Sequence, residues 1–159
     1  MSIHIFVVEM NIEEAIQQKK FESEYQKVEI NVLFTAAWLG KRSGNVLKPF
    51  NISWQQFNIM RILKGMYPKP ATVKLLTERM IDKMSNASRL VDKLKAKGLV
   101  ERHVCDEDRR RVNIQLTEKG LKLLEEASNA MKLSSSELES ALTQEEANTL
   151  NHLLDKLRE

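Results

Sequence analysis

One stretch of this chain departs from the helical period that governs nearly all the rest. Over 112–116, Val112, Ile114 and Leu116 alternate with Asn113 and Gln115. A period of two is that of a strand with one buried face. Leu99–Cys105 before it reads as a partner strand, and Arg111–Leu116 as the second, with a hairpin turn between them. Only a small antiparallel hairpin is therefore available as sheet, and it must be fitted among helices.

The helices announce themselves by period and by caps. From Ile12 to about Leu47 no proline intervenes. Tyr25, Val28, Val32, Ala36 and Leu39 recur at three- and four-residue steps there, one face of a long helix. Gly44 and Pro49 mark its end. Ser53-Trp54-Gln55-Gln56 is a capping box, with a hydroxyl for the exposed N–H groups and a glutamine three residues on. Phe57, Met60, Ile62 and Leu63 follow before "GMYPKP" stops that helix. Thr72 caps a short helix through Met80. Asp82 is expected to cap another, running to about Lys97, with Ala87, Leu90, Val91 and Leu94 on its apolar side. Gly98 supplies the left-handed residue that closes it. Thr117 caps a long fifth helix in which Leu124, Met131 and Leu138 lie seven apart, although Ser134–Ser136 weaken its middle. Thr143-Gln144-Glu145-Glu146 is a second capping box. It opens a last helix striped by Leu150, Leu153, Leu154 and Leu157. The first residues, with Ile3, Ile5 and Val7 alternating, read either as a short strand or arm or as a segment foreign to the fold.

Composition narrows the class. With 42% hydrophobic and 30% charged residues, five glycines and three prolines in 159, the chain is built for a folded, helix-rich domain. No run of about 18 apolar residues is present, so no membrane span is expected. "IHIFVVEM" is too short for a signal core and lacks a basic lead. A single cysteine suits a reducing cytoplasm. The net charge of +3 is unevenly spread: residues 1–71 carry +3, residues 72–111 carry +4 and residues 112–159 carry −4. The excess ahead of Val112 hints at a polyanionic partner.

Three helices followed by a two-stranded hairpin is the order of a winged helix-turn-helix, whose third helix enters the DNA major groove. Short polar side chains suited to base edges stand at the front of that helix: Ser85, Asn86, Ser88 and Arg89. Lys93, Lys95 and Lys97 offer charge toward phosphates. The wing tip holds Arg109, Arg110 and Arg111, whose mutual repulsion phosphates would relieve. A narrow minor groove attracts such arginines, and Asp106 and Asp108 can orient them before DNA arrives.

"ASRLVDKLKAKGLVER" followed by "DEDRRRVNIQLTEKG" resembles the MarR family of bacterial transcriptional regulators. The shared pattern is Gly98-Leu99-Val100 leading into the wing, Asp108-Arg109-Arg110 at its tip, and Leu116-Thr117-Glu118-Lys119-Gly120 opening the next helix. The element order fits from about Ile12 to Leu157, and the motifs are specific over Leu75–Gly120. The resemblance implies one MarR-like domain over 1–159. Helices in 12–48 and 121–159 would flank a DNA-binding lobe at 50–117 and form a homodimer. Each dimer would set two lobes on successive major grooves of a pseudo-palindrome, typically as a repressor. The surplus apolar stripes on the flanking helices agree, since a winged core does not need them. One departure is Ile81-Asp82-Lys83-Met84-Ser85, where the family usually has an apolar or small residue and then Ser-x-Ser/Thr.

Other residues invite functional readings. The family's usual small-molecule effector pocket lies between the dimer helices and the DNA lobe, where Trp38, Phe57 and Met60 could reach, although core packing is their simpler role. Part of the family senses peroxide through one cysteine near the N-terminal helix. Cys105 is not there, and Asp106 and Glu107 disfavour its thiolate, while Arg109–Arg111 push the other way. His4, His103 and His152 show no metal-ligand spacing, and neither metal nor cofactor is expected. No nucleophile–histidine set, Gly-rich phosphate loop or cysteine pair points to an enzyme. The leading expectation is a sequence-specific, double-stranded DNA-binding regulator. Its rival is a winged-helix protein-interaction module without DNA binding, which would not need Arg89, Lys93, Arg109 and Arg110 together.

Overall fold

A computed structural model describes residues 10–104 and 112–159. The alternating segment before Met10 and the wing tip, including Cys105, Asp108, Arg109 and Arg110, lie outside the described residues. The chain divides into compact units of residues 1–42 and 43–159.

In the first unit the expected continuous helix is interrupted. A four-residue α1, Ile12–Ala15, is capped by Asn11, whose side chain accepts the Glu14 N–H at 2.9 Å. The helix closes when Gln17 takes a left-handed φ of 55°. Gln17 and Gln18 N–H then donate to Glu14 O and Glu13 O at 3.3 and 3.0 Å. That is the bonding of a Schellman close, here without glycine. The chain re-enters helix as α2, Glu24–Leu47, where the Gln26 N–H donates to Ser23 Oγ at 3.2 Å. Ser23 and Gln26 form a cap signal inside a proline-free stretch, so the absence of proline was not evidence of continuity.

The second unit begins within α2 and holds the main core. After a 3-10 turn, Lys48–Phe50, come α3, Trp54–Met66, α4, Val73–Arg79, and α5, Ala87–Ala96. Strands β1, Val100–Val104, and β2, Val112–Leu116, pair antiparallel with Val100 opposite Leu116 and Val104 opposite Val112. Helices α6, Glu118–Ala141, and α7, Gln144–Lys156, complete the chain. The caps at Ser53, Thr72, Thr117 and Thr143 stand where the sequence puts them, with both arms of the Ser53 and Thr143 boxes made. Phe57, Ile59, Met60, Leu76, Val91, Leu94 and Ile114 are fully buried together.

The hairpin is stitched to the helices from one side. Ala71 and Ile114 exchange both backbone hydrogen bonds, at 3.0 and 2.8 Å, and the Gln115 side chain donates to Pro68 O at 2.8 Å. At the other end, α5 closes through Gly98 at φ 70°. Thr117 there serves two elements: its hydroxyl accepts the Gly120 N–H at 3.0 Å and donates to Gly98 O at 2.7 Å. A Cβ on Gly120 would stand 2.0 Å from Leu99 O, so the start of α6 abuts this turn as only glycine permits.

Candidate nucleic-acid interface

The outward face of α5 follows from what it buries. Ala87, Val91 and Leu94 point into the core at helical spacing. Ser88, Arg89, Asp92, Lys93 and Lys95 are left exposed. The helix starts four residues later than expected. Asn86, not Asp82, is the N-cap, its Oδ1 accepting the Arg89 N–H at 3.0 Å. The cap uses the carboxamide oxygen and leaves the amide nitrogen as a donor.

Asp82 holds the approach to α5 instead. Its carboxylate accepts the Met84 N–H at 3.0 Å and the Ser85 hydroxyl at 2.6 Å. The Ser85 hydroxyl, then the Met84 N–H, hold the Asp82 carboxyl below its ordinary value of 3.8. A long-range bond anchors the turn at its start: the Ile81 N–H donates to Asn58 Oδ1 at 2.9 Å. Ser85 is consequently half-buried and tied into the turn, whereas Asn86, Ser88 and Arg89 are exposed.

Lys97 also differs from expectation. Its ammonium donates to Asn51 O and lies 3.4 Å from Gln56 Oε1, so it locks the connection before α3 instead of facing phosphates. Of the cations on α5, Arg89, Lys93 and Lys95 are all exposed.

Arg102 of β1 was not singled out by sequence. Its Nη1 lies 2.7 Å from Asp92 Oδ1, and Nη2 donates to Ser88 O at 3.4 Å. The wing strand is thereby fixed to the middle of α5. The buried Nε has no hydrogen-bond partner. No local pattern links Asp92 to Arg102; only the packing of β1 on α5 brings them together.

Of the residues considered for an effector, Phe57 and Met60 are sealed in the core of the second unit. Trp38 belongs to the first unit, half-exposed, with the Arg42 guanidinium 5.6 Å from its ring centre. A separate open cleft of about 730 Å³ lies between α3 and α6, lined by Arg61, Lys64, Leu121, Lys122 and Glu125 among others. His103 pairs with Glu101 at 3.1 Å on the exposed side of β1. No group of three or more potential metal ligands exists among the described residues. No described helix is long and apolar enough to cross a membrane.

Three helices on one core, the third presenting a polar and basic face, followed by a hairpin clamped to it, define a winged helix-turn-helix. Residues 50–111 match the model of the MarR family. That match spans the winged-helix segment. A MarR transcription factor from Planctomyces limnophilus is 26% identical, with a TM-score of 0.65 and coverage of 86% of this chain and 98% of that one. A mutant of MarR from E. coli, in complex with operator DNA, is 24% identical with a TM-score of 0.73, covering 84% and 95%. The organohalide-sensing regulator RdhR-CbdbA1625, in its 2,4-dichlorophenol-bound form, is 21% identical with a TM-score of 0.78, covering 89% and 85%.

Proposed function

We propose that this protein is a sequence-specific, double-stranded DNA-binding transcriptional regulator. One observation carries the reading: α5 exposes Ser88, Arg89 and Lys93 on a single face, while its other face is core and its side is clamped to the wing by Asp92 and Arg102. Such a helix offers base-edge donors and phosphate-binding charge on a rigid support. The likeness to a MarR–operator complex supports the same use of the fold. At the wing tip, Asp108 would orient Arg110 toward a minor groove, with Arg109 beside it.

The finer reading is a cytoplasmic homodimer that represses a pseudo-palindromic operator. The segments 12–48 and 121–159 would serve as dimerisation helices around the lobe at 50–117. Exposed Tyr25, Val28, Leu33 and Phe34 on α2, with Leu150, Leu153 and Leu157 on α7, support a second copy as their partner. A small-molecule effector would release the operator. With Phe57 and Met60 buried, the cleft between α3 and α6 is the better candidate for it. Arg61, Lys64 and Lys122 beside Leu121 suit a molecule with an anionic group and an apolar body.

The test is selection of bound sites from random duplex DNA, repeated at two salt concentrations. A recovered inverted repeat whose affinity falls steeply with salt is expected. Recovery of no enriched sequence would overturn the reading.

A further inference from the structure

The turn ahead of α5 carries two large apolar side chains in the open. Met84 is 95% exposed and Ile81 68% exposed. Isolated surface hydrophobics are ordinary and by themselves call for no explanation. Here, however, the side chain stands on a fixed platform. Asp82 binds both the Met84 N–H and the Ser85 hydroxyl, Ser85 N–H donates back to Asp82 O at 3.3 Å, and Asn58 holds Ile81 from across the lobe. Met80, just before, is buried in the core. Met84 therefore does not sweep freely; its backbone is set two residues ahead of the Asn86 cap, at the leading end of the exposed polar face of α5.

Its surroundings indicate what it meets. Beyond the cap, the exposed polar side chains are Ser88, Arg89, Asp92, Lys93 and Lys95, with Asp92 paired to Arg102. Cations beside an exposed apolar tip match a surface that is anionic overall yet carries discrete apolar points. The DNA major groove is such a surface: phosphates line it, and the one apolar group on its floor is the C5-methyl of thymine. An unbranched thioether, flexible and polarisable, moulds to a methyl group well.

We propose that Met84 is a specificity-determining residue that reads a thymine methyl in each half-site, just outside the bases met by Asn86 and Ser88. The inference rests on the DNA-binding reading above. It assigns the departure from the family pattern at Ile81–Ser85 a role in choosing the sequence.

The test uses the site recovered by selection, with each thymine replaced singly by deoxyuridine, which removes only the methyl. For the unaltered protein, one position per half-site should lose about three- to fivefold in affinity, the effect of one buried methyl group. Met84→Ala should bind the thymine site that much more weakly and no longer distinguish deoxyuridine there, whereas Met84→Leu should keep the discrimination. A methyl effect of equal size in Met84→Ala, or none at any position in the unaltered protein, overturns the proposal while leaving DNA binding intact. Failure of the unaltered chain to select any sequence would instead overturn the DNA-binding reading, and this inference with it.

Discussion

Asn86 has one observed job and one proposed job, which a single substitution would confuse. It caps α5, and it stands where a base-reading side chain is wanted. Asn86→Ala should lose about 1 kcal/mol of stability with the cap and also alter base preference. Asn86→Ser restores a capping oxygen without the amide donor. Its urea midpoint should return close to that of the unaltered chain while the selected sequence still changes at one position per half-site. Unchanged selection by Asn86→Ser would show that Asn86 only caps. Asp82 gives a pH signature. Its carboxyl titrates below its ordinary value because Ser85 and Met84 donate to the ionised form. A depressed folded value means that this stabilisation is fully present above the ordinary carboxylate range and is lost as pH falls through the folded value. Asp82→Asn should therefore narrow the stability difference between neutral and acidic solution, read by denaturant midpoints across pH. An unchanged acid profile would remove Asp82 from that role.

Between elements, the bond that matters is Asp92 to Arg102. It ties a strand to the side of a helix, and both side chains remain partly exposed. Screened pairs of this kind contribute about 0.2–1 kcal/mol to stability. Arg102→Met should thus fold nearly as well as the unaltered chain. It should nonetheless weaken binding to every sequence alike, because the wing is no longer held at a fixed angle to α5. A titration in which Arg102→Met bound with full affinity would show that the wing needs no such clamp. The Thr117 hydroxyl, bridging Gly98 O and the Gly120 N–H, makes a comparable joint between α5 and α6. It places the start of α6 against the turn that closes α5. Much at this scale is local and was legible: Ser53, Thr72, Thr117 and Thr143 each satisfy N–H groups three residues ahead, whatever the rest of the chain does. The break between α1 and α2 was equally local, but its signals were Ser23 and a left-handed Gln17 instead of the glycine or proline that usually marks an ending.

For the whole molecule, the apolar faces of the terminal helices predict association. Removing Asn148–Glu159 takes away exposed Leu150, Leu153 and Leu157. The expected product is a monomer or an insoluble chain with weakened DNA binding, measured by sedimentation and by titration against the selected site. A soluble truncated dimer of undiminished affinity would place the interface elsewhere. The sequence by itself determined the order of elements from α3 onward, the caps at Ser53, Thr72, Thr117 and Thr143 and the strand period of the hairpin, since each depends on residues a few positions apart. Motif likeness at Gly98–Val100 and Leu116–Gly120 carried the resemblance to the MarR family from the same local record. Tertiary structure alone decided where α5 begins, where Lys97 goes and what holds Arg102. Asp82 and Asn86 are both good capping residues, and their intrinsic preferences differ little. Asp82 spends its carboxylate on the Met84 N–H and the Ser85 hydroxyl in a turn that Asn58, 23 residues away, anchors at Ile81, and Asn86 is left to cap. Lys97 likewise finds Asn51 O, and Arg102 finds Asp92, only after helices and strand have packed. Local chemistry offers near-equal alternatives at these positions, and a contact distant in sequence supplies the small free-energy difference that selects one.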